Sequence, residues 1–228
     1  MIIYGKQVVL YALKNHADII QEIYVTKEWD KQSFKIFSAS KKPILRLDPK
    51  KAQALAHGGN HQGILAKITP LDSTPLSELK AASRLLVLCG ISDVGNLGAI
   101  FRSAYCLGVR GIIITQIASP KIEGIIRASA GAAFDMPFCV QENPLSLINE
   151  LKAAGFCLYG ADMSGEDVAH FSPAQKWALF LGNESEGLIA KISKKLDKML
   201  SIKMRADFDS LNVSVAAGIM MSHLDSNL

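Results

Sequence analysis

Three stretches of this chain place amide, carboxylate, hydroxyl and guanidinium groups among glycines and small residues. The first, residues 92–104, carries Asn96 and Arg102. Asn96 is expected to cap a helix, satisfying one orphan backbone N–H. Arg102 lies six residues on, flanked by Ile100, Phe101 and Ala104, so it is not obviously on a solvated face. Two roles fit it: a structural ion pair, or a guanidinium held for a phosphate or a reacting hydroxyl. The second stretch, residues 181–188, carries Gly182, Asn183, Glu184 and Glu186. Its carboxylates would repel a phosphate at close range, so a cationic or hydroxyl-bearing ligand suits it better. Acidic groups at a helix start also favour the helix dipole, with no ligand at all. The third stretch runs from Ile202 through Ser210, Leu211, Asn212 and Ser214 to Ala216, Ala217 and Gly218. Ser210 reads as a helix N-cap there. Taken singly, none of the three names a reaction.

The elements around them place them at the ends of strands. Residues 85–89 form a continuous apolar run, as expected of a strand buried on both faces. A helix over 96–107 follows. Then come strand 111–115, helix 121–130, strand 137–141, helix 144–154, strands 156–161 and 177–181, a helix after Gly187, strand 199–202 and a last helix over 212–224. This alternation predicts an open, mainly parallel sheet with helices on both faces. Ligands in such sheets sit outside the carboxyl ends of the strands, which is where the three loops fall. The first 70 residues read as a smaller α/β unit: helix 5–15, strand 20–26, helix 31–40, strand 43–47, a short helix after Asp48 and strand 61–68. Residues 71–83, rich in turn formers and with a proline at 75, read as a linker.

Composition narrows the class. The chain has 228 residues, 49 % apolar and 20 % charged, which is incompatible with disorder. No apolar run approaches the roughly 20 residues of a membrane helix, and the N-terminus lacks a signal-peptide layout. A soluble, cytoplasmic protein is expected. Cysteines 89, 106, 139 and 157 show no C-x-x-C spacing, and the five histidines are scattered, so no metal site is expected. The fingerprints of dinucleotide-binding folds, phosphate loops, zinc proteases and serine hydrolases are missing. Residues 89–92 also lack the glycine-rich loop of a conventional Rossmann methyltransferase. Residues 1–80 hold 12 basic and 7 acidic side chains, and the remainder 13 and 14. The basic excess is therefore confined to the first third, as in a solvated lysine-rich surface or a polyanion-binding one.

In this order, residues 96–104, 181–187 and 210–216 strongly resemble the SpoU (TrmH) family of the SPOUT superfamily of RNA methyltransferases. The resemblance covers about residues 84–226. Tyr4-Gly5 and the run from His61 to Ile64 also resemble the substrate-binding domain of its rRNA-modifying members. It implies a small N-terminal α/β RNA-binding domain (1–70), a linker (71–83) and a mainly parallel-sheet SPOUT methyltransferase domain (84–228) with a trefoil knot. True knots are rare, and nothing in the residue pattern indicates one. The implied cofactor is S-adenosylmethionine, contacted by Gly182, Asn183, Ile202, Leu211, Asn212 and Ser214. Arg102, Asn96, Glu184, Ser210 and Asn212 are the implied catalytic group, with Arg102 as base or as phosphate clamp. The implied reaction is methylation of an RNA ribose 2′-OH. The arrangement is closest to the members acting on a guanosine of 23S rRNA, with a homodimer built on the C-terminal helix. A tRNA ribose target, or a non-catalytic RNA-binding protein on the same fold, is the alternative. The retained Arg102, Glu184 and Asn212 speak against the last. Lys203 stands where the family usually has proline.

Overall fold

A computed structural model describes residues 1–205 and 210–225. The chain divides into two compact units: residues 1–72 with 121–135, and residues 73–120 with 136–228.

The first unit opens with β1 (Ile2–Tyr4), α1 (Lys6–Asn15), β2 (Ile20–Val25) and α2 (Lys31–Ala39), followed by β3 (Ile44–Arg46), α3 (Pro49–Leu55) and β4 (Ile64–Ile68). Its four strands lie in the order β1-β4-β2-β3, with only β2 and β3 parallel. Helix starts follow from local chemistry. Asp30 accepts the Ser33 N–H at 2.8 Å, and Asp48 accepts those of Lys50 and Lys51 ahead of Pro49-led α3. Helix α1 begins at Gly5, which has no side chain to cap with, and the Gln62 amide oxygen accepts the Lys6 N–H at 2.7 Å instead. Val8, Val9, Ala12, Leu13, Ile23, Phe37 and Leu65 are buried.

The second unit contains α4 (Leu76–Leu79), β5 (Arg84–Cys89), α5 (Val94–Cys106) and β6 (Gly111–Thr115). The chain then contributes α6 (Ile122–Ala128) to the first unit and returns with β7 (Phe138–Gln141), α7 (Pro144–Ala153), β8 (Cys157–Asp167), β9 (Trp177–Leu181), α8 (Ala190–Ser193), β10 (Lys198–Ser201) and α9 (Val213–Leu224). All six strands are parallel, in the order β10-β8-β9-β5-β6-β7. Leu85 to Leu88, Ile112 to Ile114 and Ala178 to Phe180 are fully buried, as their unbroken apolar runs require. Arg84 is ion-paired with the buried Asp225, tying the first strand of this sheet to the residue that follows α9.

Several expectations need correction. The expected helix over 121–130 contributes to the first unit: the Arg127 guanidinium lies 4.8 Å over the Tyr4 ring, and the Tyr11 hydroxyl donates to Asp135. The strand expected over 156–161 extends to Asp167. Asp93, not Asn96, caps α5, accepting the Asn96 N–H at 2.7 Å. Asn212, not Ser210, caps α9. No helix among the described residues is long and apolar enough to cross a membrane.

Candidate active site

From β5 the sheet grows through β6 to β7 on one side, and through β9, β8 and β10 on the other. Strands β5 and β9 are neighbours at this reversal, and the crevice outside their carboxyl ends is where such sheets bind ligands. All three loops converge there.

Because Asp93 supplies the cap, Asn96 sits in the first turn of α5 with its amide available. Its Nδ2 donates to Glu184 Oε1 at 3.1 Å. Glu184 is held by a tight loop after β9. Asn183 Oδ1 accepts the N–H groups of Ser185 (3.0 Å) and Glu186 (2.7 Å), and Asn183 bridges Gly187. Gly187 has φ +63°, and a Cβ on Gly182 would lie 2.0 Å from the Gly187 carbonyl carbon. Only a bare Cα at 182 lets the loop close on itself.

From the third loop, Asn212 caps α9. Its Oδ1 accepts from the Ser214 backbone N–H (3.0 Å) and hydroxyl (2.6 Å). Its Nδ2 donates to Glu184 Oε1 at 2.7 Å and to Asn96 Oδ1 at 2.9 Å. The Val213 N–H reaches the same Glu184 oxygen at 3.4 Å. One carboxylate oxygen thus gathers three donors from two loops. Glu184 Oε2 makes no hydrogen bond among the described residues, which leaves it open to a ligand.

Beside this cluster lies a cavity of about 360 Å³, within the size range of small-molecule sites. Gly182, Asn183, Glu184, Ile202, Ser210 and Leu211 line it. Asn212 and Ser214 act behind this lining, through Glu184 and through each other. The far wall comes from β8. Against β10, Gly160 pairs Met199 and Glu166 pairs Leu200, so the five residues between them bulge out of the ladder. Ala161, Asp162 and Met163 of that bulge line the cavity. Gly165 lets the bulge rejoin, since a Cβ there would sit 2.6 Å from the Leu200 backbone, and the Ser201 hydroxyl fastens it to the Gly165 carbonyl at 2.9 Å. The sequence reading missed this wall. Its signal was a glycine inside a strand pattern, which marks a bulge or close approach.

Arg102 is not among the residues that line this cavity. It is exposed on α5 and makes no ion pair among the described residues. Its apolar neighbours Phe101 and Ala104 point into the core, and the arginine takes the other side of the helix. Lys203, in the proline's place, is exposed as well.

Comparison with known proteins gives two family matches. Residues 83–222 match the SpoU rRNA methylase family, and residues 2–74 match the RNA 2′-O ribose methyltransferase substrate-binding family. The 23S rRNA (guanosine-2′-O-)-methyltransferase RlmB of Neisseria meningitidis is 30 % identical over 231 aligned residues, spanning 96 % of this chain and 92 % of that protein. Among solved structures, an AdoMet-bound rRNA methyltransferase from Sinorhizobium meliloti superposes with a TM-score of 0.80 at 23 % identity, covering all of this chain and 87 % of that one. The AdoMet complex of the SpoU methyltransferase AviRb from Streptomyces viridochromogenes also gives 0.80, at 22 % identity, with coverages of 100 % and 89 %. At such identities the two structures establish the fold.

Proposed function

This chain belongs to the SpoU rRNA methylase family, and we propose that it methylates a ribose 2′-OH of RNA at the cavity described above, with a guanosine of 23S rRNA as the target. The observation that carries the reading is the Glu184 cluster, in which Asn96 and Asn212 fix one carboxylate at the rim of a pocket formed by the loops after β9 and β10. The choice of 23S rRNA rests on the full-length likeness to the Neisseria protein.

The residues present fit S-adenosylmethionine. Glu184, with one oxygen unpaired among the described residues, and Asp162 place carboxylates at the cavity, as a cationic ligand wants. Bare Gly182 lets a ligand reach backbone groups, and Leu211 and Ile202 offer apolar surface and main-chain groups beside it. When bound, this cofactor supplies an electrophilic methyl on a positively charged sulfur. The chain's part is to hold the acceptor hydroxyl in line and keep the pocket from rearranging. Asn96 and Asn212 do the latter by fixing Glu184. Arg102, exposed and without an ion pair among the described residues, is available to the RNA. A guanidinium offers N–H donors and no acceptor, so we assign Arg102 to clamping a phosphate and polarising the 2′-OH, whose proton passes to water as the methyl is transferred. The need for a 2′-OH selects RNA over DNA.

On this reading the first unit, residues 1–72 with 121–135, holds RNA and the second carries out the transfer, with the last loops threaded as the family's knot. The chain acts as a homodimer through α9, where Val215 is 50 % exposed. The setting is the cytoplasm, which suits Cys89 and Cys139: burial pushes both thiols up to about 11, so they stay protonated and inert. The test is methyl transfer from radiolabelled S-adenosylmethionine to unmodified bulk rRNA and, separately, tRNA, with ribose-methylated dinucleotides identified after digestion. Label in a 2′-O-methylguanosine of 23S rRNA is the expected result. Label only in tRNA moves the target, and absence of cofactor binding rejects the reading.

A further inference from the structure

The first unit has a cavity of its own, about 450 Å³, whose lining includes Lys6, Lys27, Glu28, Trp29 and Gln62. Trp29 sits in the turn between β2 and α2. The Lys27 ammonium is 5.1 Å from its ring centroid and the Lys6 ammonium 5.6 Å. Neither lysine is in an ion pair among the described residues. The indole N–H is shielded from solvent and has no hydrogen-bond partner among the described residues, an unsatisfied donor of the kind folded proteins seldom keep. The Gln62 oxygen is occupied by the Lys6 N–H, which leaves its amide NH₂ on the cavity.

The platform is firmly built. Trp29 packs edge-on at 5.5 Å against the fully buried Phe37, and the next residue, Asp30, is fixed as the cap of α2. The lining as a whole is charge-balanced, Lys6 and Lys27 against Glu28 and Asp30, but its two ammonium groups lie beside the indole and suit a ligand with a single negative charge, hydrogen-bond acceptors and a flat π-face. Glu28 and Asp30 on the rim disfavour a second phosphate close by. Resting on the RNA-methyltransferase reading above, we propose that this cavity binds one unpaired nucleotide of the RNA, with its base against Trp29 and its phosphate between Lys6 and Lys27. A paired base hides its faces in the stack, so the site selects a single-stranded or bulged position.

The test uses full-length protein and a single-stranded oligoadenylate decamer, read by tryptophan fluorescence and by anisotropy of a labelled strand. Trp177, the other tryptophan, is 1 % exposed within the second unit's sheet, so quenching reports Trp29. The decamer is expected to quench the wild type and not Trp29→Phe, while a blunt RNA duplex quenches neither. Trp29→Ala should weaken decamer binding about tenfold. Lys6→Gln and Lys27→Gln should each lower the slope of log K against log salt, and the double variant should lower it by about 0.7, the value for one phosphate. The two lysine variants keep the test decisive if Trp29→Ala does not fold. Absence of quenching in the wild type, or an unchanged salt slope in both lysine variants, overturns the subsite. Methyl transfer to rRNA by the wild type, measured in parallel, separates that outcome from failure of the enzyme reading.

Discussion

The two units hold polar groups in opposite ways. In the first, the start of α1 and the turn after β2 present long side chains, lysines over an indole, with no close backbone approach between them. In the second, beside a parallel six-stranded sheet, a loop closes on itself at Gly182 and a bulge rejoins β10 at Gly165 so tightly that neither glycine tolerates a Cβ, and a single carboxylate ties loops together. A flexible ammonium can follow a polyanion of varying shape, whereas a pocket for one small molecule requires fixed walls. The comparison teaches that the first unit should lose affinity gradually as side chains are removed, and the second should fail abruptly.

Gly182→Ala is the strongest way to break that contrast. Its Cβ would collide with backbone at Gly187, so cofactor binding measured by calorimetry should vanish and the melting temperature should fall, by ~3 kcal/mol or more of stability. Arg102→Ala should lower methyl transfer about 100-fold or more, the effect of removing one charge-stabilising donor, with cofactor affinity nearly unchanged. Wild-type turnover in that variant would remove Arg102 from the mechanism. Asn212→Ala removes the α9 cap and one of the Glu184 donors, so cofactor affinity should drop about tenfold. An unchanged dissociation constant would count against the assigned pocket.

The smallest effect concerns acid stability of the second unit. Burial pushes the Asp197 carboxyl up, but the Lys152 ammonium at 2.7 Å and the Leu158 N–H at 2.8 Å outweigh it and hold the group below its ordinary value. The stabilisation this gives is therefore full above the ordinary carboxylate range and is lost as pH falls through the lowered value. Asp197→Asn should unfold earlier than the wild type at neutral pH, by under ~1 kcal/mol for a pair this exposed, and converge with it in acid. A constant gap across the pH range would show that charge plays no part.

Much of this was legible in the sequence where a single local rule decides the outcome. The apolar runs at 85–89 and 177–181 are strands because nothing else buries both faces of so short a run. Asp48 ahead of Pro49 starts a helix where expected. The reading faltered where two local rules compete or where the partner is remote. Asp93 and Asn96 are both good caps, and the nearer helix start won, which released Asn96 for Glu184, 88 residues away. Arg102 looked enclosed because its neighbours are apolar, yet a helix turns about 100° per residue and places adjacent side chains on different faces. The wall at 161–163 had only a glycine in the strand pattern to mark it, because the apolar period ends at Ala161 while backbone pairing resumes at Glu166. The destination of residues 121–135 depends on Tyr4 and Tyr11, more than a hundred positions back.

That last feature bears on how the chain is made. Synthesis proceeds from the N-terminus, and residues 1–72 leave the ribosome well before α6 and Asp135 exist. Until they emerge, the nascent first unit lacks the helix that packs on β1 and the carboxylate that receives the Tyr11 hydroxyl. Its completion therefore waits until β5, α5 and β6 of the second unit have also been translated. The order of translation couples the maturation of the two units, so that the first is finished only once the strand and helix that carry Asn96 have been made.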